Sequence, residues 1–292
     1  MTPPLKIVFI INPASGSRRT KPNEVLFRKH YEASSEIIFL ESKNKGHASD
    51  LAAGAVSGKA DAVIAVGGDG TVNEIAKILN GTSCALGIIP CGSGNGLARH
   101  HKISLNIPDA ISVVKRFKII EHDAILINGQ LCFNVSGVGF DAHVAHLFGK
   151  DGKRGFNTYA KLVMKEFSAY RETVIKVKSS QETIEQPIML AAIANASQFG
   201  NNARIAPFAD TNDGIADITL VRKMNAWLLP SFAFSVFTKH VANSPYAKLI
   251  RAEKFTIACE KPLPLHLDGE PAGFSNNFEI QTLKGSLKII VP

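Results

Sequence analysis

Apolar and polar positions along the first 120 residues switch repeatedly between two periods. Short continuous apolar runs at 6–11 (KIVFII), 36–41 (EIIFLE), 61–66 (DAVIAV) and 85–89 (ALGII) predict buried strands. Between them, segments near 21–33, 46–57, 73–80 and 93–101 carry helix-like spacing, and 109–117 predicts one helix more. Strands alternating with helices through short connections predict a parallel sheet with helices on both faces.

The pattern changes near residue 122. AILINGQLCFNV (124–135) sets two apolar runs around Asn128-Gly129, the strongest short hairpin signal. Runs within 173–196, and at 216–222, 255–260, 263–270 and 286–292, predict antiparallel strands, with helices near 139–149 and 156–169 between them. The fold class is therefore α/β in two domains: a parallel-sheet α/β domain over 1–123 and an antiparallel, β-rich sandwich over 124–292. No Ser- or Pro-rich linker marks the boundary.

A hydrophobic fraction of 45% with 20% charged residues belongs to a globular chain, not a disordered one. The formal charge of +8 favours polyanionic partners. No RNP-type aromatic motif, zinc-finger spacing or long basic run accompanies it, so no nucleic acid partner is expected. Cys84, Cys91, Cys132 and Cys259 form no CxxC pair and read as small hydrophobes of a reducing compartment. The apolar run after Lys6 is too short for a signal-peptide core. The stretch Trp227–Phe237 is broken by Pro230 and Ser231 and is assigned to the core. A cytoplasmic protein with only peripheral membrane contact is expected.

Three glycine-bearing loops follow predicted strands of the first domain. They are Asn12-Pro13-Ala14-Ser15-Gly16, Gly67-Gly68-Asp69-Gly70-Thr71 and Pro90-Cys91-Gly92-Ser93-Gly94-Asn95-Gly96. In an open parallel sheet, ligands bind beyond the carboxyl ends of the strands. Glycine lets backbone N–H groups approach a phosphate, and a following helix N-terminus adds its dipole. Ser15, Thr71 and Ser93 can donate hydroxyl hydrogen bonds to the same oxygens. Neither the P-loop nor the dinucleotide fingerprint is present.

GGDGTVNE (67–74), INPASG (11–16), PCGSGNGLAR (90–99), PFADTNDGIADI (207–218) and LDGEPAG (267–273) together resemble the diacylglycerol kinase catalytic-domain family of lipid kinases. The resemblance implies ATP in the first domain, a membrane lipid in the second, and an active site in the cleft between. It places ATP on Asn12, Pro13, Ala14, Ser15 and Gly16, and on Gly67, Gly68, Asp69, Gly70, Thr71, Val72, Asn73 and Glu74. Ser42, where the family usually has threonine, and Ser93, Gly94 and Asn95 lie nearby. The implied partner is a lipid substrate at an anionic membrane surface, and a homodimer is compatible with the sequence. Many bacterial diacylglycerol kinases carry a GTTND-type loop where this chain has Gly92 to Gly96; the form here is closer to sphingoid-type kinases, which leaves the acceptor open.

Asp268 and Glu270 stand two apart, and strand alternation puts both on one face before a Gly-Pro turn. The resemblance places the general base in this element, on Asp268 or on Glu270 in its stead. Asp210, Asp213 and Asp217 are spaced like hard-cation ligands. The resemblance implies structural magnesium on Asp213 with the carbonyls of Asp210 and Ile215, and Asp69 near a catalytic magnesium. His143 and His146 read as structural, and Arg18, Arg19, His100 and His101 as surface groups. An NAD-kinase-like enzyme with a soluble acceptor and a binding protein without catalysis remain the alternatives.

Overall fold

Strands whose two faces are both covered need apolar residues at every position, and the strands at 6–11, 62–67 and 85–90 of the first unit are of this kind. In the computed structural model, which describes residues 5–16, 27, 36–148 and 156–292, β1 (Lys6–Ile11), β2 (Glu36–Glu41), β3 (Ala62–Gly67) and β4 (Ala85–Pro90) are parallel in the order β4-β3-β1-β2. Every residue of β3 and β4 is buried. The helices α1 (His47–Ser57), α2 (Asp69–Leu79), α3 (Gly96–His100) and α4 (Ile107–Arg116) belong to the same unit. In α2, Val72, Ile75, Ala76 and Leu79 form the buried stripe. The helix expected near 21–33, with Arg18 and Arg19, lies outside the described residues except for Phe27. That ring is buried, with its centroid 4.9 Å from Phe9 and 5.8 Å from Phe39.

The second unit is antiparallel and β-rich. Its main strands are β7 (Val135–Gly139), β10 (Leu190–Ala194), β11 (Ala216–Val221), β12 (Ala247–Ala252), β13 (Lys254–Leu267) and the first part of β14 (Glu270–Ile290). Their order is β12-β11-β10-β7-β13-β14. The smaller strands β5 (Ile119–Ile127) and β6 (Gln130–Cys132) meet at Asn128-Gly129, while β8 (Thr173–Ser179) and β9 (Thr183–Ile188) extend from β13. Asn128 and Gly129 have φ of 47° and 79°, the two positive values a type I′ hairpin turn requires. The helices α5 (Phe140–Leu147), α6 (Phe156–Phe167) and α7 (Leu229–Phe237) complete the unit. Ile193, Ile218, Ile257 and Phe278 anchor one core cluster, and Phe140, Val144, Phe167 and Met224 another.

Four differences from the sequence pattern have physical causes. The strands expected at 255–260 and 263–270 are one strand, β13, bent by a register shift between Ala258 and Leu263. Pro262, which has no N–H to give a ladder, sits in that irregularity. Residues 270–285, rich in Gly, Pro, Ser and Asn, belong to β14 because β13 supplies the partner their local sequence does not announce. The chain also divides differently from a cut after residue 123: Met1–His122 and Gly285–Pro292 form one unit, Asp123–Lys284 the other. The last strand residues return to the first unit, where Ile289 pairs with Leu86 of β4. Finally, the stretch Trp227–Phe237 is not core: Val236 is the only buried residue of α7, and Trp227 and Phe234 are exposed.

Leu287, Ile289 and Ile290 are fully buried. Removing one such side chain costs about 2–5 kcal/mol, so losing three approaches the whole stability of a domain. A chain ending at Lys284 should lose amide-exchange protection in β3 and β4. Unchanged protection there would show that these residues do not hold the first unit together.

Candidate active site

In the first unit the chain runs from β1 outward to β2, then crosses back to β3 on the other side of β1. The strand order therefore reverses between β1 and β3, which is where open α/β sheets hold ligands. The loops following those two strands, 12–16 and 67–70, flank this switch point.

The GGDG segment is not a free loop. Gly68 caps α2, and Asp69, Gly70 and Thr71 form its first turn. The helix begins four residues before the expected 73–80 pattern because its first turn carries no apolar stripe of its own. The N–H groups of Gly68, Gly70 and Thr71 have no partner within the helix, and the dipole there favours an anion. Asn12 Nδ2 donates to Thr71 Oγ1 at 2.9 Å, while Asn12 Oδ1 accepts the Ala14 N–H at 2.9 Å. One asparagine thus shapes its own turn and ties it to α2. Pro13 and Ser15 are part of the same turn, closed by Ser15 N–H on the Asn12 carbonyl, and Gly16 follows at φ 82°.

Asp69 joins the third loop to the second. Its carboxylate accepts the N–H of Asn95 at 2.8 Å and of Gly96 at 2.7 Å. Burial pushes this carboxyl up from its ordinary value, against those two N–H groups and the Arg99 guanidinium, which favour the anion. Asp69 thus brackets the second and third loops, with the Asn95 and Gly96 N–H groups directed at its carboxylate. Asn95, at φ 51°, closes its own loop through Gly92, accepting its N–H and donating to its carbonyl.

The glycines permit contact between loops. A Cβ on Gly92 would lie 2.6 Å from Gly68 Cα, one on Gly94 2.7 Å from Asp69 Oδ2, and one on Gly67 2.5 Å from Thr71 Oγ1. Gly70 alone of this group has open space around it. The remaining expected residues stand at the margin. Ser42 is buried with its hydroxyl toward the Ile11 carbonyl, Glu74 accepts the Gly46 N–H at 2.9 Å, and Val72 and Asn73 are buried. Ser93 is exposed. His101, expected at the surface, is packed against His100 and His122, and burial with those two neighbours holds its pKa well below the ordinary value.

In the second unit, Asp268 and Glu270 do not alternate along a strand. Asp268-Gly269 is the two-residue turn of the β13–β14 hairpin, with φ of 50° and 88°, and Glu270 opens β14 at the surface. Asp268 Oδ2 accepts the Phe133 N–H and Oδ1 the Asn134 N–H, both at 2.9 Å. Its own N–H donates to Ser136 Oγ, and the Gly269 N–H donates to His266 Nδ1, each at 3.2 Å. That bond leaves His266 with its proton on Nε2, directed at Asp141 Oδ2 3.2 Å away. Ser136, Asp141 and His266 brace the turn, and the sequence reading missed all three. The signal available was His266 itself, two residues before Asp268 in LHLDGE. His143 and His146 are structural as expected, the first against Glu166 and the second against the Leu265 carbonyl.

In the acidic loop where magnesium is expected, Arg251 stands against two of the carboxylates. Arg251 Nη2 lies 2.6 Å from Asp213 Oδ2 and its Nε 3.1 Å from Asp217 Oδ1. Asp213 Oδ1 accepts the Ile215 N–H, and Asp210 Oδ1 accepts the Asn212 N–H. Among the described residues no three acidic, histidine or cysteine side chains converge on a metal. Burial pushes Asp217 up to about 6, with Arg251 opposing and Asp213 and Asp210 reinforcing the rise, and its Oδ2 is buried without a partner.

Two family models match the chain: the diacylglycerol kinase catalytic domain over residues 6–127, and the YegS C-terminal NAD kinase beta sandwich-like domain over residues 134–291. The chain belongs to the diacylglycerol kinase-like family of lipid kinases. Among similar members, the diacylglycerol kinase of Bacillus subtilis is 25% identical, covering 97% of this chain and 95% of that one. A Chromohalobacter salexigens protein named "Probable lipid kinase YegS-like" is 27% identical over 79% of this chain and 76% of its own. The crystal structure of a diacylglycerol kinase from Bacillus anthracis superposes at a TM-score of 0.78 with 20% identity, covering 98% and 97% of the two chains, a likeness of fold.

Two measurements test this geometry. Gly92→Ala should cost about 1–3 kcal/mol through overpacking against Gly68, whereas Gly70→Ala should leave the melting temperature equal or higher. Equal melting of both variants would mean that the loops do not pack as described. Arg251→Met should cost about 2 kcal/mol, between surface-pair and buried-pair values, and more at about pH 8 than at about pH 5. The sign follows from Asp217: stability tied to its neutral form is present below the ordinary carboxylate pKa and lost as pH rises through about 6. A pH-independent loss would leave Asp217 out of the balance.

Proposed function

We propose that the chain is an ATP-dependent kinase that transfers the γ-phosphate to the hydroxyl of a membrane lipid, diacylglycerol or a sphingoid-type lipid. The observation that carries this reading is the anion-ready first turn of α2 at the β1/β3 switch point, in a chain of lipid-kinase family. The N–H groups of Gly68, Gly70 and Thr71 would receive the phosphates, with the turn set by Asn12 beside them. Magnesium would enter as the companion of the nucleotide's phosphates.

In the reaction, the acceptor oxygen bonds to the γ-phosphorus as the bond to the β–γ bridging oxygen breaks, and the hydroxyl proton leaves to a carboxylate. Asp268 is the better oriented of the two candidates. Each of its oxygens accepts one backbone N–H, and the turn beneath it is braced from both sides. Glu270 is exposed beside it and is the alternative base.

Asp268→Asn should lower phosphoryl transfer about a hundred- to ten-thousand-fold. It should also lower the melting temperature, because an amide presents one oxygen to two N–H donors. Radiolabelled-ATP assays over diacylglycerol, sphingosine, ceramide and NAD, run below that melting point, read both rate and acceptor. Retention of more than about a tenth of the rate in Asp268→Asn, with loss in Glu270→Gln, would move the base to Glu270. Phosphorylation of NAD alone would replace the lipid reading.

A further inference from the structure

Between Asp217 and Glu253 the chain carries Arg222, Lys223, Lys239, Lys248 and Arg251 and no acidic residue; Lys248 pairs with Glu182, and Arg251 with Asp213 and Asp217. Within this segment lie a 3-10 turn, Ala226–Leu228, and the helix α7. An ordinary surface helix turns its apolar stripe inward and its polar face out. Here both faces are apolar. Leu229, Phe232 and Val236 pack on the cluster that includes Phe140, Phe167, Met224 and Val241. The opposite positions, at helical spacing, are Trp227, Pro230, Ser231 and Phe234, with Trp227 79% and Phe234 69% exposed. Scattered surface hydrophobes are ordinary, but an exposed tryptophan on the 3-10 turn and an exposed phenylalanine on the helix that follows it stand close together in the chain.

The flanks say what covers this face. Arg222 and Lys223 precede the aromatic stripe, and Lys239 and His240 follow it; Arg222, Lys239 and His240 are exposed. A second copy related by a two-fold axis would bring the same cations face to face, which is repulsive. An anionic lipid surface meets them with opposite charge, while an indole and a phenyl ring suit the boundary between headgroups and acyl chains. We propose that Trp227–Phe237 is a membrane-docking element, which lies in the headgroup region of an anionic bilayer with Trp227 and Phe234 as its inserted side chains. The helix is far too short to span, and no described helix is long and apolar enough to cross a membrane. The inference stands on exposure and charge, and does not depend on which acceptor the active site takes.

Trp227 is the only tryptophan of the chain, so its emission reports this element alone. Full-length protein titrated with phosphatidylglycerol vesicles, without ATP, should show a blue shift, and lipid-borne bromine should quench the emission. Phosphatidylcholine vesicles should give little response, and salt should weaken binding to the anionic ones. Phe234→Glu should weaken vesicle binding at least about tenfold with an unchanged melting temperature. The proposal is overturned by an emission spectrum that anionic vesicles do not move at low salt, or by unchanged binding of Phe234→Glu. A blue shift that grows with protein concentration in the absence of lipid would also overturn it, by giving the face to a second copy. Because no turnover is measured, a negative result here leaves the kinase reading to its own assay.

Discussion

The N–H groups of Asn95 and Gly96 both end on the carboxylate of Asp69, and this bracket holds two loops from non-adjacent stretches of chain in one place. The close approach it needs, with Gly68 against Gly92 and Asp69 against Gly94, leaves no room for a Cβ on Gly92 or Gly94. Asn12 adds the third loop through Thr71. What results is an open helix N-terminus at a topological switch point, held by hydrogen bonds that a phosphate does not have to supply. Preorganised donors of this kind cost no rearrangement when charge arrives.

A similar economy shapes the second unit. Asp268 and Gly269 form a hairpin turn whose carboxylate, N–H groups and neighbouring imidazole are all engaged, so the acid points in one direction. Arg251 plays the part of a fixed cation between Asp213 and Asp217. A guanidinium delivers its charge through a planar fork of donors, so it can hold two carboxylates on adjoining segments with no ion to bind or lose. The loop is then tied to β12 by a side chain.

The outward face of α7 follows a different logic. Its inner face is satisfied by the core, so the aromatic residues outside do nothing for folding. Aromatic residues kept in water cost solubility, and the proposed anionic surface would offset that cost beside the basic flanks.

Alternation of apolar runs with helical spacing was sufficient for the parallel sheet, because strands buried on both faces must be continuously apolar. The Asn128-Gly129 hairpin was equally legible, since its two positive φ values select those residues locally. The five motif blocks likewise marked the family and its glycine loops. Other features were decided by partners distant in sequence. Residues 270–285 are strand because β13 lies beside them, and the final residues rejoin the first unit because β4 offers a parallel edge. In the sequence, neither Asp69 nor Arg251 announces its partners. Only folding brings Asn95, Gly96, Asp213 and Asp217 within hydrogen-bond range, and that proximity, rather than residue type, sets what each charge can do. The same holds for α7: composition marks Trp227–Phe237 as apolar, but which face of it meets water is fixed by how the core is filled.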